Sequence, residues 1–324
     1  MITPSMALIT EPGVYDGISA DAYHSLGLTP EYALSSSGAR ELEASCPAAF
    51  WWNSPLNPDQ EPARKTEFDI GNATHLLVLQ PEEFADRVVE VEADDWRTKA
   101  AQEMRDSARA DRRIPLLTKQ VRAVRAMREA ILSHPIAGLA FQGGEAEQTM
   151  AWIDQETGVW LRCRPDYRPP HARYLVDIKT TTSAHPRDFE KAVWNFGYHM
   201  QAAWYLDAEE AVTGERPSKF YFVAVEKEAP FLVAVHEMDA DAIGWGRIQN
   251  RSAIRTFAEC MTSGQWPGYR DPIAPQKDKA FPIGLPGFAL RDLEKRHERG
   301  DFTSNAFQRA AAAQAPLQHK DAAE

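Results

Sequence analysis

The sequence predicts an α/β fold, and three observations predict it. Strand-like segments gather in the middle of the chain, at residues 147–179, and again at 220–235. Segments with helical periodicity lie before, between and after them, at 118–133, 189–211 and 239–262. The composition, 44% hydrophobic and 26% charged over 324 residues, is that of a folded chain with room for one large domain or two modest ones.

Taken in order, residues 1–30 carry Pro12, Gly13, Gly17, Gly27 and Pro30 and read as irregular. Ser35-Ser36-Ser37 then precedes ARELEASC, a helix start with a serine available as N-cap. Such serines ordinarily do no more than cap. The alternative is that the free N–H groups there take a phosphate, which makes Ser35 and Ser37 candidate DNA contacts. Residues 71–79 (GNATHLLVL) predict a buried helix in which Gly71 and Ala73 allow a close approach. Residues 82–115 are polar and mixed, helical in part. At 118–133, Val121, Val124, Met127 and Ile131 recur at helical spacing, with Arg122, Arg125 and Glu129 opposite. That basic outer face is either a solvated surface or a contact for DNA, with Arg122 and Arg125 as the candidates.

Residues 147–153 and 158–164 read as two strands joined by a hairpin turn at 154–158. Residues 174–179 (YLVDIK) form a third strand, apolar until its acidic and basic end. Residues 189–211 are helical in two pieces, broken near Asn195 to Gly197. Strands at 220–225 and 231–235 and a helix from about 239 to 262 complete the folded part. Residues 266–278 are rich in Pro and Gly, and 304–324, rich in Ala and Gln, read as frayed or disordered.

No stretch approaches the length of apolar sequence that a membrane span needs, and the N-terminus shows no signal peptide. Three scattered cysteines, Cys46, Cys163 and Cys260, form no disulfide framework, which fits a reducing, cytoplasmic compartment. The net charge of −11 argues against a surface coated by nucleic acid. Phosphate binding follows local potential, however, and residues 97–128 are rich in arginine.

The chemistry is concentrated in Arg164-Pro165-Asp166 and, ten residues on, Asp177-Ile178-Lys179. Side chains alternate along a strand, so Asp177 and Lys179 share a face. Desolvating an acid and an amine at the end of an apolar strand is costly without a task or a partner. If the strands ending at Asp166 and Asp177 pair, the two carboxylates converge. Two carboxylates, a carbonyl such as that of Ile178, and waters suit Mg²⁺. Lys179 would then orient the attacking water or stabilise charge on the phosphorane. The bland alternative is a turn aspartate and an unrelated Asp177–Lys179 ion pair.

Five ordered motifs, from about Gly13 to Tyr269, resemble the PD-(D/E)xK nuclease superfamily and within it the RecE-type (exonuclease VIII-like) phage exonucleases. They are LSSSGARELEASCPAAFWWN, GNATHLLVLQPEEF, TGVWLRCRPD, LVDIKTTTSAHPRDF and YHMQAAWY. The resemblance implies a restriction-endonuclease-like core, a mixed central β-sheet flanked by helices. It makes His75 a metal ligand beside Asp166 and Asp177, and places Gln201 and Tyr205 on one helix face near the site. It also marks Glu147 as an acid for a second metal or a basic partner. Mg²⁺ is the implied cofactor, with Mn²⁺ able to substitute. It further implies digestion of linear double-stranded DNA from 5′ ends, leaving 3′ single strands for an annealing protein, by a ring-shaped homo-oligomer. The chain departs from relatives with an iron–sulfur cluster, having too few cysteines, and from helicase–nucleases, having no P-loop. A structure-specific endonuclease and a catalytically idle DNA-binding module are the alternatives. The expected organisation is an N-terminal segment 1–30, a nuclease domain 31–269 whose part 31–135 is helical, and an extension 270–324.

Overall fold

Four of the five motifs meet where two β-sheets share a bent ribbon of chain. The computed structural model describes residues 8–60, 69–169, 173–269 and 280–302. The chain divides into two compact units, Met1–Tyr269 and Arg270–Glu324. The Ala- and Gln-rich 304–324 and most of 266–278 lie outside the described residues.

The first unit begins with β1 (Gly13–Tyr15), α1 (Ala20–His24), β2 (Leu34–Ser35), α2 (Ser36–Ala44) and α3 (Pro47–Asn53). Next come α4 (Asp69–Leu79), α5 (Phe84–Arg87), β3 (Val88–Val91), α6 (Lys99–Ala110), β4 (Ile114–Leu117), α7 (Thr118–Ser133) and α8 (Ala137–Ala140). The strands β5 (Glu145–Ala146), β6 (Thr149–Ile153), β7 (Trp160–Cys163), β8 (Tyr167–Arg168) and β9 (Tyr174–Thr181) follow. The unit ends with α9 (Pro186–Asn195), α10 (Tyr198–Thr213), β10 (Lys219–Glu226), β11 (Val233–Glu237) and α11 (Ala240–Ser263). In the second unit, α12 (Gly287–Glu298) is a helix the sequence reading did not anticipate.

The sheets run β1-β6-β7-β2 and β11-β10-β9-β8-β5, with β3 and β4 a separate parallel pair. The five-stranded sheet is mixed, β9 and β10 being parallel and the other pairs antiparallel. Helices cover both of its faces. On one, Val176, Ile178, Val223 and Val225 pack with Ala73 and Leu76 of α4 and Val124 and Met127 of α7. On the other, Leu175, Phe220, Phe222 and Ala224 pack with Phe189 of α9 and Ala202, Ala203 and Leu206 of α10. Burial on both faces explains why β10 reads as a continuous apolar run rather than an alternating one. The α7 residues expected at the core, Val121, Val124, Met127 and Ile131, are all buried there.

Three expectations need correcting. The N-terminal segment is not irregular throughout: β1 pairs with β6, and Ile9 and Leu28 are buried against Ala151 and Trp160. The part 31–135 is not purely helical, since β2, β3 and β4 lie within it. Asp166 lies on no strand but in the link between β7 and β8, and the antiparallel partner of the Asp177 strand is the two-residue β8 rather than the hairpin arm β7. That hairpin changes sheet midway. Its β6 and β7 belong to the four-stranded sheet, while its other halves, β5 and β8, join the five-stranded sheet beside β9.

Candidate active site

The bend in that ribbon places the acids. Glu147 lies between β5 and β6, and Asp166 between β7 and β8, so each carboxylate sits where its chain leaves one sheet for the other. The two crossings are tied together by Glu147 N donating to the Asp166 carbonyl at 3.2 Å. Glu147 has φ +56°, a left-handed conformation that costs a non-glycine residue energy and collects at functional positions. It therefore precedes the strand that the sequence reading had it begin.

On β9, alternation works as expected. Val176 and Ile178 face α4 and α7, while Asp177 and Lys179 face α10. β8 is only two residues long and pairs with β9 through Tyr167 and Val176 alone, so the strand is uncovered beyond that point. Asp166 fills the opening: its Oδ2 accepts from Ile178 N at 2.6 Å and lies 3.3 Å from His75 Nδ1. The backbone group of Ile178 that meets this acid is its N–H. α4 brings His75 in because Gly71 lets the helix close on β9; a Cβ there would stand 3.2 Å from Thr180 Oγ1.

Asp177 is held from two sides. Lys179 Nζ stands 2.5 Å from its Oδ2, and Gln201 Nε2 donates to its Oδ1 at 2.6 Å. Gln201 thus steadies the acid. Tyr205, one turn further along α10, makes no hydrogen bond to these groups and packs its ring against Phe220 at 6.0 Å. Tyr198, which the sequence reading passed over, lies at the other end of the same face, its ring 4.8 Å from Lys179 Nζ.

The electrostatics are those of crowded acids. Burial pushes Asp177 up to about 6, reinforced by the Asp166 charge and opposed by Lys179. Burial, again with Asp166, pushes Glu147 up to about 7. Burial opposes the charge on His75, but Asp166 outweighs it by charge and hydrogen bond and lifts the imidazole to about 9. Asp166 itself is disfavoured by burial yet held below the usual carboxylate range by His75, Lys179 and the Ile178 N–H. His75, Glu147, Asp166, Asp177 and Lys179 therefore form one electrostatic group. A cavity of about 580 Å³ opens onto it, lined by His75 and Glu147 together with Asn72, His24 and Arg164.

Among the described residues, no three His, Cys, Asp or Glu side chains already surround one point as a cation cage. The donor set nevertheless suits a divalent cation. It supplies two carboxylates and an imidazole, and beside them Gln201 Oε1 is buried without a hydrogen bond while Asp177 Oδ2 has the Lys179 ammonium alone. A cation at Asp177 and Asp166 would offset the burial and the neighbouring Asp166 charge that lift Asp177.

The other candidates lie apart from this cluster. Ser35 caps α2, its Oγ accepting from Gly38 N at 3.2 Å and meeting Ser37 Oγ at 2.9 Å. Much of the arginine-rich stretch is tied locally: Arg105 to Asp106, Arg109 to Asp69, Arg112 to Asp21, and Arg113 and Arg128 to main-chain carbonyls. Arg122 and Arg125 are exposed on the outer face of α7. No helix among the described residues is long and apolar enough to cross a membrane.

A sequence profile described as a PDDEXK-like domain of unknown function (DUF3799) matches residues 35–275. Among solved structures, a candidate exonuclease from Eubacterium rectale is similar with a TM-score of 0.58 and 14% identity, covering 86% of this chain and 98% of that one. At that identity the likeness concerns the fold alone. A phage-related exonuclease from Haemophilus somnus 129PT aligns with a TM-score of 0.29 and 11% identity, over 58% of this chain and 96% of that one, too weakly to bear on the argument. No curated protein matches the sequence.

Proposed function

Because the chain belongs to the PDDEXK-like family DUF3799, we propose that it is a metal-dependent exodeoxyribonuclease acting on linear double-stranded DNA. The observation that carries this reading is the convergence of His75, Asp166, Asp177 and Lys179 at the bend between the two sheets. Asp166, Asp177 and His75, with the carbonyl of Ile178, are the residues that would hold Mg²⁺, or Mn²⁺ in its place. A bound divalent cation supplies Lewis-acid stabilisation of the phosphate and a water acidic enough to attack it.

The protein's own groups do the rest. Lys179, paired with Asp177 at 2.5 Å and flanked by the Tyr198 ring, offers an ammonium to the scissile phosphate and stabilises the charge that develops there. Gln201 fixes the rotamer of Asp177 through its 2.6 Å hydrogen bond, so the acid does not reorganise during the reaction. Glu147, raised toward neutrality by burial and by Asp166, is suited to take up a proton or to complete a second cation site. Tyr205 supports the Gln201 helix against the sheet.

The finer features rest on the five motifs that resemble RecE-type exonucleases. They are 5′ to 3′ polarity, a 3′ single strand handed to an annealing protein, DNA ends as substrate, and a homo-oligomeric ring. Ser35, Ser37, Arg122 and Arg125 remain candidate contacts for DNA in that reading. Incubation with Mg²⁺ and a mixture of end-labelled linear duplex and covalently closed circles tests it. Loss of the linear DNA alone is the expected result. Cutting of the circle would make the protein an endonuclease. Binding without cutting would make it an idle module with the nuclease fold.

A further inference from the structure

Beyond Lys179 and the Tyr198 ring that flanks it, the chain presents aromatic rings that the cleavage chemistry does not use. Trp194 lies at the end of α9, Phe196 caps that helix, and Tyr198 opens α10, with Gly197 turning the chain between them at φ +63°. Trp194 is 71% exposed and Phe196 59% exposed. Two exposed rings bordering one cavity make a contiguous apolar patch of the kind that marks a contact surface.

The rings are held rather than loose. Trp194 lies nearly parallel to the buried His199, with centroids 6.0 Å apart and planes at 12°, and His199 Nε2 is fixed to Gln249 Oε1 at 2.6 Å. Phe196 stacks on Tyr198 at 5.5 Å, and Tyr198 in turn meets Lys179 Nζ at 4.8 Å. Phe196 and Tyr198 therefore lead from solvent to the lysine of the candidate site. Trp194 and Phe196 both border a cavity of about 670 Å³. Arg40, which lines the same cavity, donates to the Phe196 carbonyl at 2.7 Å and braces the turn.

The chemistry of this surface selects its occupant. Within a duplex, the π faces of the bases are covered by their neighbours, whereas a single strand offers every base to an exposed ring. Glu41 and Glu43 outnumber Arg40 along the cavity, so its lining carries no net positive charge to draw in a phosphate backbone, and its two exposed rings are left to take the bases. We propose that Trp194, Phe196 and Tyr198 form a stacking path for unpaired bases of the DNA strand that flanks the scissile phosphate. The proposal rests on the nuclease reading above, and identifies the part of the substrate that the same site grips.

The test uses the full-length protein, Mg²⁺ and a cleavage-resistant phosphorothioate single strand carrying 2-aminopurine, whose fluorescence is quenched on stacking. Wild type and a Trp194→Phe/Phe196→Tyr variant, which keeps both rings, are expected to quench it. A Trp194→Ala/Phe196→Ala variant is expected to bind about tenfold or more weakly and to leave the probe bright. Both side chains are exposed, so the fold should survive, and circular dichroism checks that it does. Quenching that persists in the alanine variant overturns the proposal, as does an absence of quenching by wild type. A change in solution mass alone, with quenching retained, would assign the rings to contact between copies of the chain, and the proposal fails. Cleavage of linear duplex is scored in parallel. Wild type that cuts without quenching sinks this proposal alone, whereas wild type that quenches without cutting supports the stacking path and sinks the exonuclease reading.

Discussion

Asp166 accepts the main-chain N–H of Ile178 through Oδ2 at 2.6 Å, so a side chain replaces the ladder bond that the two-residue β8 is too short to make. The same oxygen faces His75 Nδ1 at 3.3 Å. One carboxylate oxygen thus joins the strand that carries Asp177 to the helix that carries His75. Asp166 is structural as well as chemical, which shapes how it should be probed.

Asp166→Ala strands a buried N–H and should cost about 1–3 kcal/mol of stability relative to Asp166→Asn, which keeps an acceptor. Both changes should abolish cleavage. Denaturant unfolding separates the two effects, and equal stability of the two variants would show that the Ile178 bond carries no weight.

Asp177 has the opposite character, because its surroundings disfavour its charge when no metal is bound. Burial and the neighbouring Asp166 raise it to about 6 against the pull of Lys179. Asp177→Asn keeps an acceptor for Gln201 and removes the repelled charge. It should stabilise the metal-free protein by about 1–2 kcal/mol at pH 8 while eliminating activity. A fall in the metal-free melting temperature would mean that the Lys179 ion pair outweighs the crowding.

The approach of α4 to β9 depends on Gly71. A Cβ there would lie 3.2 Å from Thr180 Oγ1, a contact a small adjustment can absorb, but a leucine would wedge the helix outward. Gly71→Leu should displace His75 and lower kcat about a hundredfold with the protein still folded, while Gly71→Ala retains most activity. Steady-state kinetics with a Mg²⁺ titration would read this out, and an unimpaired leucine variant would remove His75 from the site.

The hairpin at 154–158 is pinned to α11 by Asp154, which accepts from Arg251 at 2.5 and 3.0 Å and from Thr157 N at 2.9 Å. Burial opposes ionisation of Asp154, but Arg251 and Thr157 overcome it and hold the carboxyl below its ordinary range. A depressed folded pKa gives stability that is present above the unfolded value, near pH 4, and is lost as pH falls through the folded one. Solvent screening limits the pair to about 1 kcal/mol. Asp154→Asn should therefore melt below wild type at pH 7, and the gap should close as pH falls below the ordinary carboxylate range and through the depressed pKa. A gap unchanged by pH would place the effect in packing.

Much of the site could be read from the sequence because its signals are local. Alternation along residues 174–179 assigned Asp177 and Lys179 to one face, and the break before Gly197 was visible as a glycine between two periodic segments. The partner of β9 was not readable. β8 is two residues long, too short to show a period, and the ribbon's change of sheet leaves no mark in hydropathy. β1, with three residues, was hidden for the same reason, and β3 and β4 by the polar sequence around them and by Pro115. Tyr198 stands three residues before Gln201 and so shares its helix face, a signal that was present but not used. The pairing of Arg109 with Asp69 and of Arg112 with Asp21 depends on tertiary neighbours and could not be anticipated from charge counts, whereas Arg105 pairs with the adjacent Asp106.

The central claim is that the His75, Asp166, Asp177 and Lys179 cluster cleaves DNA, and Lys179→Ala tests it most directly. The lysine side chain is 17% exposed, and its loss leaves the strand ladder intact. The measurement is the release of acid-soluble label from uniformly labelled linear duplex, by wild type with Mg²⁺, by wild type with EDTA, and by the variant with Mg²⁺. The account predicts release in the first case, none in the second, and in the third a rate lower by about a thousandfold or more from a protein still folded by circular dichroism, with a melting temperature lowered because the buried Asp177 loses its counter-charge. Release by Lys179→Ala at the wild-type rate would contradict it.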